Sequence, residues 1–101
     1  LFQPHLYSRT RHLAAELAEA LSTADDVTVT DIYPAREAPV SGVTGKLVID
    51  ALSDLGVLAG WTPSVEEGAE RLRRRARPGD VLLVVGAGDV DRAVGLLRDR
   101  S

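Results

Sequence analysis

The chain has 101 residues, the size of one domain, because a single core typically closes at about 100 to 150 residues; two enzyme-sized domains are excluded. With 45% hydrophobic and 27% charged residues it has an ordinary globular composition, which argues against a disordered tail, a collagenous repeat or a coiled coil. Twelve Lys plus Arg against fifteen Asp plus Glu give a formal net charge of -3, so the basic excess of a nucleic-acid or anionic-membrane binder is missing and neither partner is expected.

In chain order, Leu1-Phe2-Gln3 reads as the stub of a first strand. Leu13, Leu17 and Leu21 recur every four residues beside Ala14 and Ala18, which predicts an amphipathic helix over about 9–22. Val27-Thr28-Val29-Thr30 alternates with β-branched residues and predicts a strand over about 27–32, entered through the Asp25-Asp26 turn. A loop rich in Pro and Gly runs from Tyr33 to Val43. Thr44 can cap a second helix whose apolar face is Val48, Ile49, Leu52 and Leu55, with Gly56 ending it. Val57 to Trp61 is a short apolar run with the length of a strand. Ser64-Val65-Glu66-Glu67 is a capping box, so a third helix opens at Val65, with Val65, Ala69, Leu72 and Ala76 toward the core and Pro78-Gly79-Asp80 closing it. Val81 to Val85 is continuously apolar, as expected of a central strand covered on both faces. A last helix from about Asp89 to Arg100 carries Val90, Ala93, Val94 and Leu97 on one side. This alternation of strand and helix favours the α/β class: a single domain over 1–101 with an open, mostly parallel, Rossmann-like sheet flanked by helices.

Cysteine is absent, which removes disulfides, thiolate catalysis, Fe–S clusters and thiolate-ligated zinc, and leaves His5 and His12 as the only imidazoles. No metal site is expected. The apolar runs fall far short of the roughly 18 residues of a membrane span, and the start lacks a charged-then-apolar leader pattern, which points to a cytoplasmic location. The chain contains no Met and opens on Leu1, so it is expected to be a piece of something larger.

Gly86-Ala87-Gly88 follows the most apolar strand and opens a helix, a place where backbone amides can hold an anion. The dinucleotide fingerprint fails at Asp91, where a third glycine is needed, and a tight turn is the default. Asp89 repels phosphate; it favours a ligand ammonium group while serving as a helix N-cap. Gly42-Val43-Thr44-Gly45-Lys46 is not a phosphate loop, because Val40 and Leu47 stand where Walker A needs Gly and Ser or Thr. The Arg71 to Arg77 run follows Glu66, Glu67 and Glu70, and pairing on a solvated helix face accounts for it. The sharpest site candidate is His5-Leu6-Tyr7-Ser8-Arg9-Thr10, just past the first strand, where ligands collect in open α/β sheets. Arg9 in the first turn of a helix opposes the dipole and suggests an anionic partner. The carboxyl edge is expected to gather His5, Arg9, Tyr33 and Gly86 around one cleft.

The stretch Phe2-Gln3-Pro4-His5-Leu6-Tyr7-Ser8-Arg9-Thr10-Arg11 resembles the opening of the C-terminal domain of the Mur ligases of peptidoglycan synthesis. The likeness continues through Asp31-Ile32-Tyr33-Pro34-Ala35 with Glu37-Ala38-Pro39, through Gly42-Val43, and through Gly79-Asp80 to Gly86-Ala87-Gly88-Asp89. The His5 to Thr10 stretch is most similar to the alanine-adding branch, the UDP-N-acetylmuramate:L-alanine ligases. The resemblance implies a three-domain ligase: an N-terminal UDP-substrate domain, a central ATPase domain with the phosphate loop, and a Rossmann-like third domain that brings in the amino acid and closes over the others. It implies ATP and Mg²⁺ in the whole enzyme, activation of the muramoyl carboxylate as an acyl phosphate, and attack by the alanine amine to give an amide. It implies that this domain alone is inactive and binds neither cofactor.

Carried over by motif, the resemblance implies that His5 and Arg9 face the alanine carboxylate or the charged reaction centre, Arg9 as the charge complement and His5 through a hydrogen bond near the attacking amine. The loop with Asp31, Tyr33 and Glu37 occupies the place where related ligases read the incoming amino acid, and Gly86 and Asp89 belong to the final turn beside the substrate. The chain departs from the family pattern at Leu6, where many relatives carry a basic residue, and at Arg36, where relatives often have Gly. The alternative from another class is a free-standing α/β module that binds a carboxylate or nucleotide without catalysis.

Overall fold

The computed structural model describes residues 1–86 and 88–98. Its elements are α1 (Tyr7–Leu21), β1 (Asp26–Val29), α2 (Lys46–Asp54), β2 (Leu58–Trp61), α3 (Val65–Arg75), a 3₁₀ turn (Asp89–Asp91) and α4 (Arg92–Arg98). β1 and β2 pair in parallel, from Asp26 opposite Leu58 to Val29 opposite Trp61. Phe2 forms parallel bridges to both Val29 and Val85, and His5 forms one to Tyr33. The order across the sheet is therefore β2, β1, residues 1–5, residues 81–85, all running the same way. Phe2 N donates to Thr28 O at 2.8 Å and Phe2 O accepts from Thr30 N at 3.0 Å, while Gln3 N donates to Val85 O at 3.0 Å. The opening residues thus hold the middle of an open parallel sheet, as the α/β expectation requires.

Alternation along the strands divides the core into two layers. Val27 and Val29 turn to one face, where they pack with Ala18 of α1 and Val48 and Leu52 of α2; Phe2 joins them from the middle strand. Leu1 turns the other way, to Val65, Ala69 and Leu72 of α3 and to Val90 and Ala93. Full burial of a side chain such as Leu52 or Val48 stabilises by about 1.5 to 3 kcal/mol, so these two seams hold helices on both faces of the sheet. Thr28 and Thr30, also buried, face α3: Thr28 Oγ1 accepts from Arg71 Nη1 at 2.7 Å, and the same guanidinium reaches Asp26 at 3.3 Å. Three of the four α3 arginines are thus used within the fold; Arg73 pairs with Glu70 along the helix as expected, but Arg71 and Arg75 pair instead with Asp26 at the start of β1, because that side of α3 lies against the sheet.

Several expectations need correction. The most consequential concerns Val81 to Val85. This segment lies outermost instead of central, with Val81 84% and Leu83 67% exposed, because residues 1–5 occupy the middle and no described residue pairs along its outer side. α1 starts two residues earlier than predicted and buries Thr10 and Ala18; Leu13 stays 42% exposed, since small residues allow close approach and leave Leu13 at the rim. β1 ends at Val29 because its partner β2 ends at Trp61, and beyond that point the chain pairs only with residues 1–5. Thr44 does not stand at the cap of α2, where Gly45 does; from one residue further out its hydroxyl accepts from the amide of Lys46, the first residue of the helix, at 3.1 Å. Leu55 and Val94 are exposed. The expected end of the last helix at Arg100 lies outside the described residues, and so does Ala87. Other expectations hold: Gly56 ends α2 with a φ of +74°, and Ser64 caps α3 by accepting from Glu67 N at 3.1 Å. Among the described residues, no helix is long and apolar enough to cross a membrane.

Candidate functional site

The carboxyl ends of the parallel strands are where side chains and backbone groups are left without a sheet partner, and four loops converge there. The first runs from His5 into α1. Leu6, between strand and helix, has φ 66° and ψ 139°, a left-handed φ that a Leu adopts only under constraint. Two backbone bonds hold it: Tyr33 N donates to Pro4 O at 2.8 Å, and Leu6 N donates to Tyr33 O at 3.0 Å. The His5 and Tyr33 rings consequently stack, with centroids 6.1 Å apart and planes 18° from parallel.

The last loop approaches from the other side. Gly88 sits under the Tyr33 ring, where a Cβ would run into the ring and lie 2.7 Å from Gln3 Oε1. A Cβ on Gly86 would lie 2.6 Å from Val90 Cγ1 and 3.1 Å from Gln3 Cβ. Close packing against Gln3 and Tyr33 is therefore what these glycines permit. Gln3, 5% exposed, donates from Nε2 to Asp89 Oδ1 at 2.7 Å and accepts at Oε1 from Val90 N at 3.2 Å. Asp89 Oδ2 accepts from Arg92 Nη2 at 2.8 Å, and Arg92 also pairs with Glu66. The Gln3 hydrogen bond, followed by Arg92, holds the Asp89 carboxyl below its ordinary pKa. Asp89 thus does not act as the expected N-cap: its carboxylate turns to Gln3 and Arg92, and Gly88 stands at the cap position.

Between these loops lies a cleft of about 400 Å³ lined by Gln3, Asp31, Tyr33, Ser64, Asp89 and Arg92, among others. Asp31 closes a local turn by accepting from Ile32 N at 2.9 Å. Glu37 lies outside the cleft wall, its carboxylate on Ser8; the Ser8 hydroxyl, then the Ser8 amide, push its pKa below the ordinary value. Arg9 is exposed on the first turn of α1 and makes no ion pair among the described residues. His5, Tyr33, Gly86 and Gly88 come together at one end of the sheet, but of the four residues expected around one cleft only Tyr33 lines it, beside Asp31 and Asp89, because Gly86 packs on Gln3 and Val90 and Arg9 is exposed on the first turn of α1. Sequence reasoning missed Gln3, Ser64 and Arg92 as parts of this region. A Gln beside Phe2 in a strand stub was the one available signal, because a buried amide needs partners.

Residues 42–46 do not form a phosphate cradle. The backbone at Gly45 is pressed on Thr30 O and the Trp61 ring, and Lys46 Nζ lies 4.6 Å from the centre of that ring, a cation–π contact instead of a phosphate cradle. Among the described residues, no group of three or more His, Asp or Glu is placed to hold a metal ion.

Residues 2–88 match the family model described as Mur ligase, glutamate ligase domain. The chain belongs to this family. Among curated Mur ligases it is 48% identical over 99% of its length to the UDP-N-acetylmuramate--L-alanine ligase of Cutibacterium acnes, covering 22% of that protein. It is 48% identical over 98% of its length to the ligase of the same name from Renibacterium salmoninarum, covering 20%, and 47% identical over 99% to that of Streptomyces avermitilis, covering 22%. The chain therefore spans about a fifth of the length of these relatives. The parallel order with helices on both faces agrees with the Rossmann-like fold that the Mur ligase resemblance implied.

Proposed function

We propose that this chain is the amino-acid-positioning domain of an ATP-dependent ligase that joins L-alanine to UDP-N-acetylmuramate in cytoplasmic peptidoglycan synthesis. The observation that carries the reading is near-half identity over almost the whole chain to ligases bearing that name. In this reading the nucleotide, Mg²⁺ and the UDP-substrate are held by other parts of the full-length ligase, which agrees with the poor fit of residues 42–46 to phosphate. The residues of this domain bind and orient alanine. Arg9 meets the carboxylate with a planar, two-pronged donor, His5 hydrogen-bonds near the amine, and the stacked Tyr33 fixes the imidazole plane. Asp31 supplies negative charge on the neighbouring cleft for the ammonium group, while Asp89, already paired with Gln3 and Arg92, and Gly86, packed on Gln3, hold the final turn beside it.

The test is alanine-dependent phosphate release by the full-length protein. A charge-assisted contact is worth about 1.5 to 3 kcal/mol, so Arg9→Ala should lower kcat/KM for alanine by roughly ten- to a hundredfold. Because Arg9 is exposed, the melting temperature should hardly move. Turnover that needs no alanine, or a loss of stability that matches the loss of activity, would reject the assignment.

A further inference from the structure

We propose that Glu37 is a positioning residue: its carboxylate caps α1 from 29 positions along the chain and so holds the turn that carries His5 and Arg9. The inference rests on the reading that these two residues face the amino acid.

α1 begins poorly on local grounds. Its cap residue, Leu6, has no side chain to accept from the free amides, and its first turn has no acidic residue. Arg9 in that turn opposes the helix dipole. Glu37 remedies both deficits. Oε1 accepts from Ser8 N at 3.0 Å and Oε2 from Ser8 Oγ at 2.7 Å, so the carboxylate holds one residue by two bonds. The carboxylate comes from a loop that is itself fastened: Glu37 N donates to Pro34 O at 2.9 Å, across Ala35 with a φ of 54°.

The two loops are therefore joined twice, by the Tyr33 backbone to Pro4 and Leu6 and by the Glu37 carboxylate to Ser8. Leu6 lies between the joints. A residue with a left-handed φ keeps it only while its surroundings over-determine it. Without the second joint, Leu6 can relax, the first turn of α1 can fray, and Arg9 loses its direction. The seam of Ala18, Val48 and Leu52 that stabilises the fold lies elsewhere and would not change. Because Glu37 already takes the Ser8 amide, an incoming carboxylate is left to the Arg9 guanidinium.

The test uses the full-length ligase with Glu37→Ala, Ser8→Ala, the double variant and Glu37→Gln. Loss of a cap shifts the equilibrium between the ordered and frayed turn by about five- to tenfold, so Glu37→Ala should raise KM for alanine by up to about that factor and leave KM for ATP within about twofold. Ser8→Ala should have a smaller effect, the double variant should be no worse than Glu37→Ala, and Glu37→Gln should recover part of the loss, since its oxygen still accepts from the Ser8 amide. Hydrogen exchange in Glu37→Ala should quicken at residues 7–10 and stay unchanged at 14–21. Additive effects of the two single variants would mean that Glu37 acts on substrate directly and would overturn the proposal. So would unchanged exchange at 7–10, or equal rises in both KM values. If the unsubstituted ligase shows no alanine-dependent turnover, the function reading fails and the positioning role with it, while the exchange result still decides whether the cap exists.

Discussion

Gly88 and Tyr33 meet across the end of the sheet, and the space between them admits no additional atom. A Cβ there must displace the ring that stacks on His5. Overpacking of this kind typically costs about 1 to 3 kcal/mol, so Gly88→Ala should lower the urea midpoint, and an unchanged midpoint would mean that the ring yields freely. At this scale the sequence shows the residues whose role depends on position after a strand. His5 and Tyr33 are legible because each follows an apolar or β-branched stretch and must emerge at the carboxyl end. The bonds of Gln3 are not legible. Its partner Asp89 is 86 residues away, and no local pattern announces a contact made only when two distant loops close together. Glu37 is an intermediate case: its acidity and loop position were visible, whereas its attachment to Ser8 depends on the path of the chain through Ala35.

Among the helix starts, that of α3 is the most directly encoded, whereas α1 and α2 begin on Leu6 and Gly45 without a side-chain cap of their own. Ser64 and Glu67 specify the beginning of α3 with groups three residues apart, so the cap forms without help from tertiary structure. Ser64→Ala should therefore destabilise the protein by about 1 kcal/mol, read as a shift of the denaturant midpoint at constant slope. A zero shift would show that the Glu67 amide finds water just as readily. Strand placement is encoded less directly. Five consecutive apolar residues at Val81 to Val85 mark a strand, and the pairing at Val85 agrees, but the run cannot say which strand takes the middle. That is decided by the competition between segments for the same neighbours, and residues 1–5 win because they bond to β1 on one side and to residues 81–85 on the other. Leu13 and Leu55 mislead for a related reason: periodicity assigns a face, and packing decides how wide the buried part of that face is.

At the scale of the molecule, the residues proposed to meet alanine do not share one enclosed site: Asp31 and Tyr33 line the cleft, whereas His5 and Arg9 are not among its lining. Ligands owe much of their affinity to sites that are fully assembled beforehand, so a site left in parts should bind weakly. The 101-residue chain by itself is expected to release no phosphate above background, and to give little heat on titration with ATP, Mg²⁺ and L-alanine. Saturable micromolar binding of ATP would instead favour a free-standing nucleotide module. The order of the sheet has a further consequence, for the time course of folding. The middle strand is made of the first residues, yet one of its two neighbours is among the last, and pairing them requires closure of a loop that spans most of the chain. Non-local closure adds its entropy cost to the folding barrier, and a nascent chain can dock residues 1–5 on β1 long before residues 81–85 exist to cover the other side. During that interval the backbone of residues 1–3 is an unshielded edge, and the late arrival of the Val81–Val85 segment is the step that protects it.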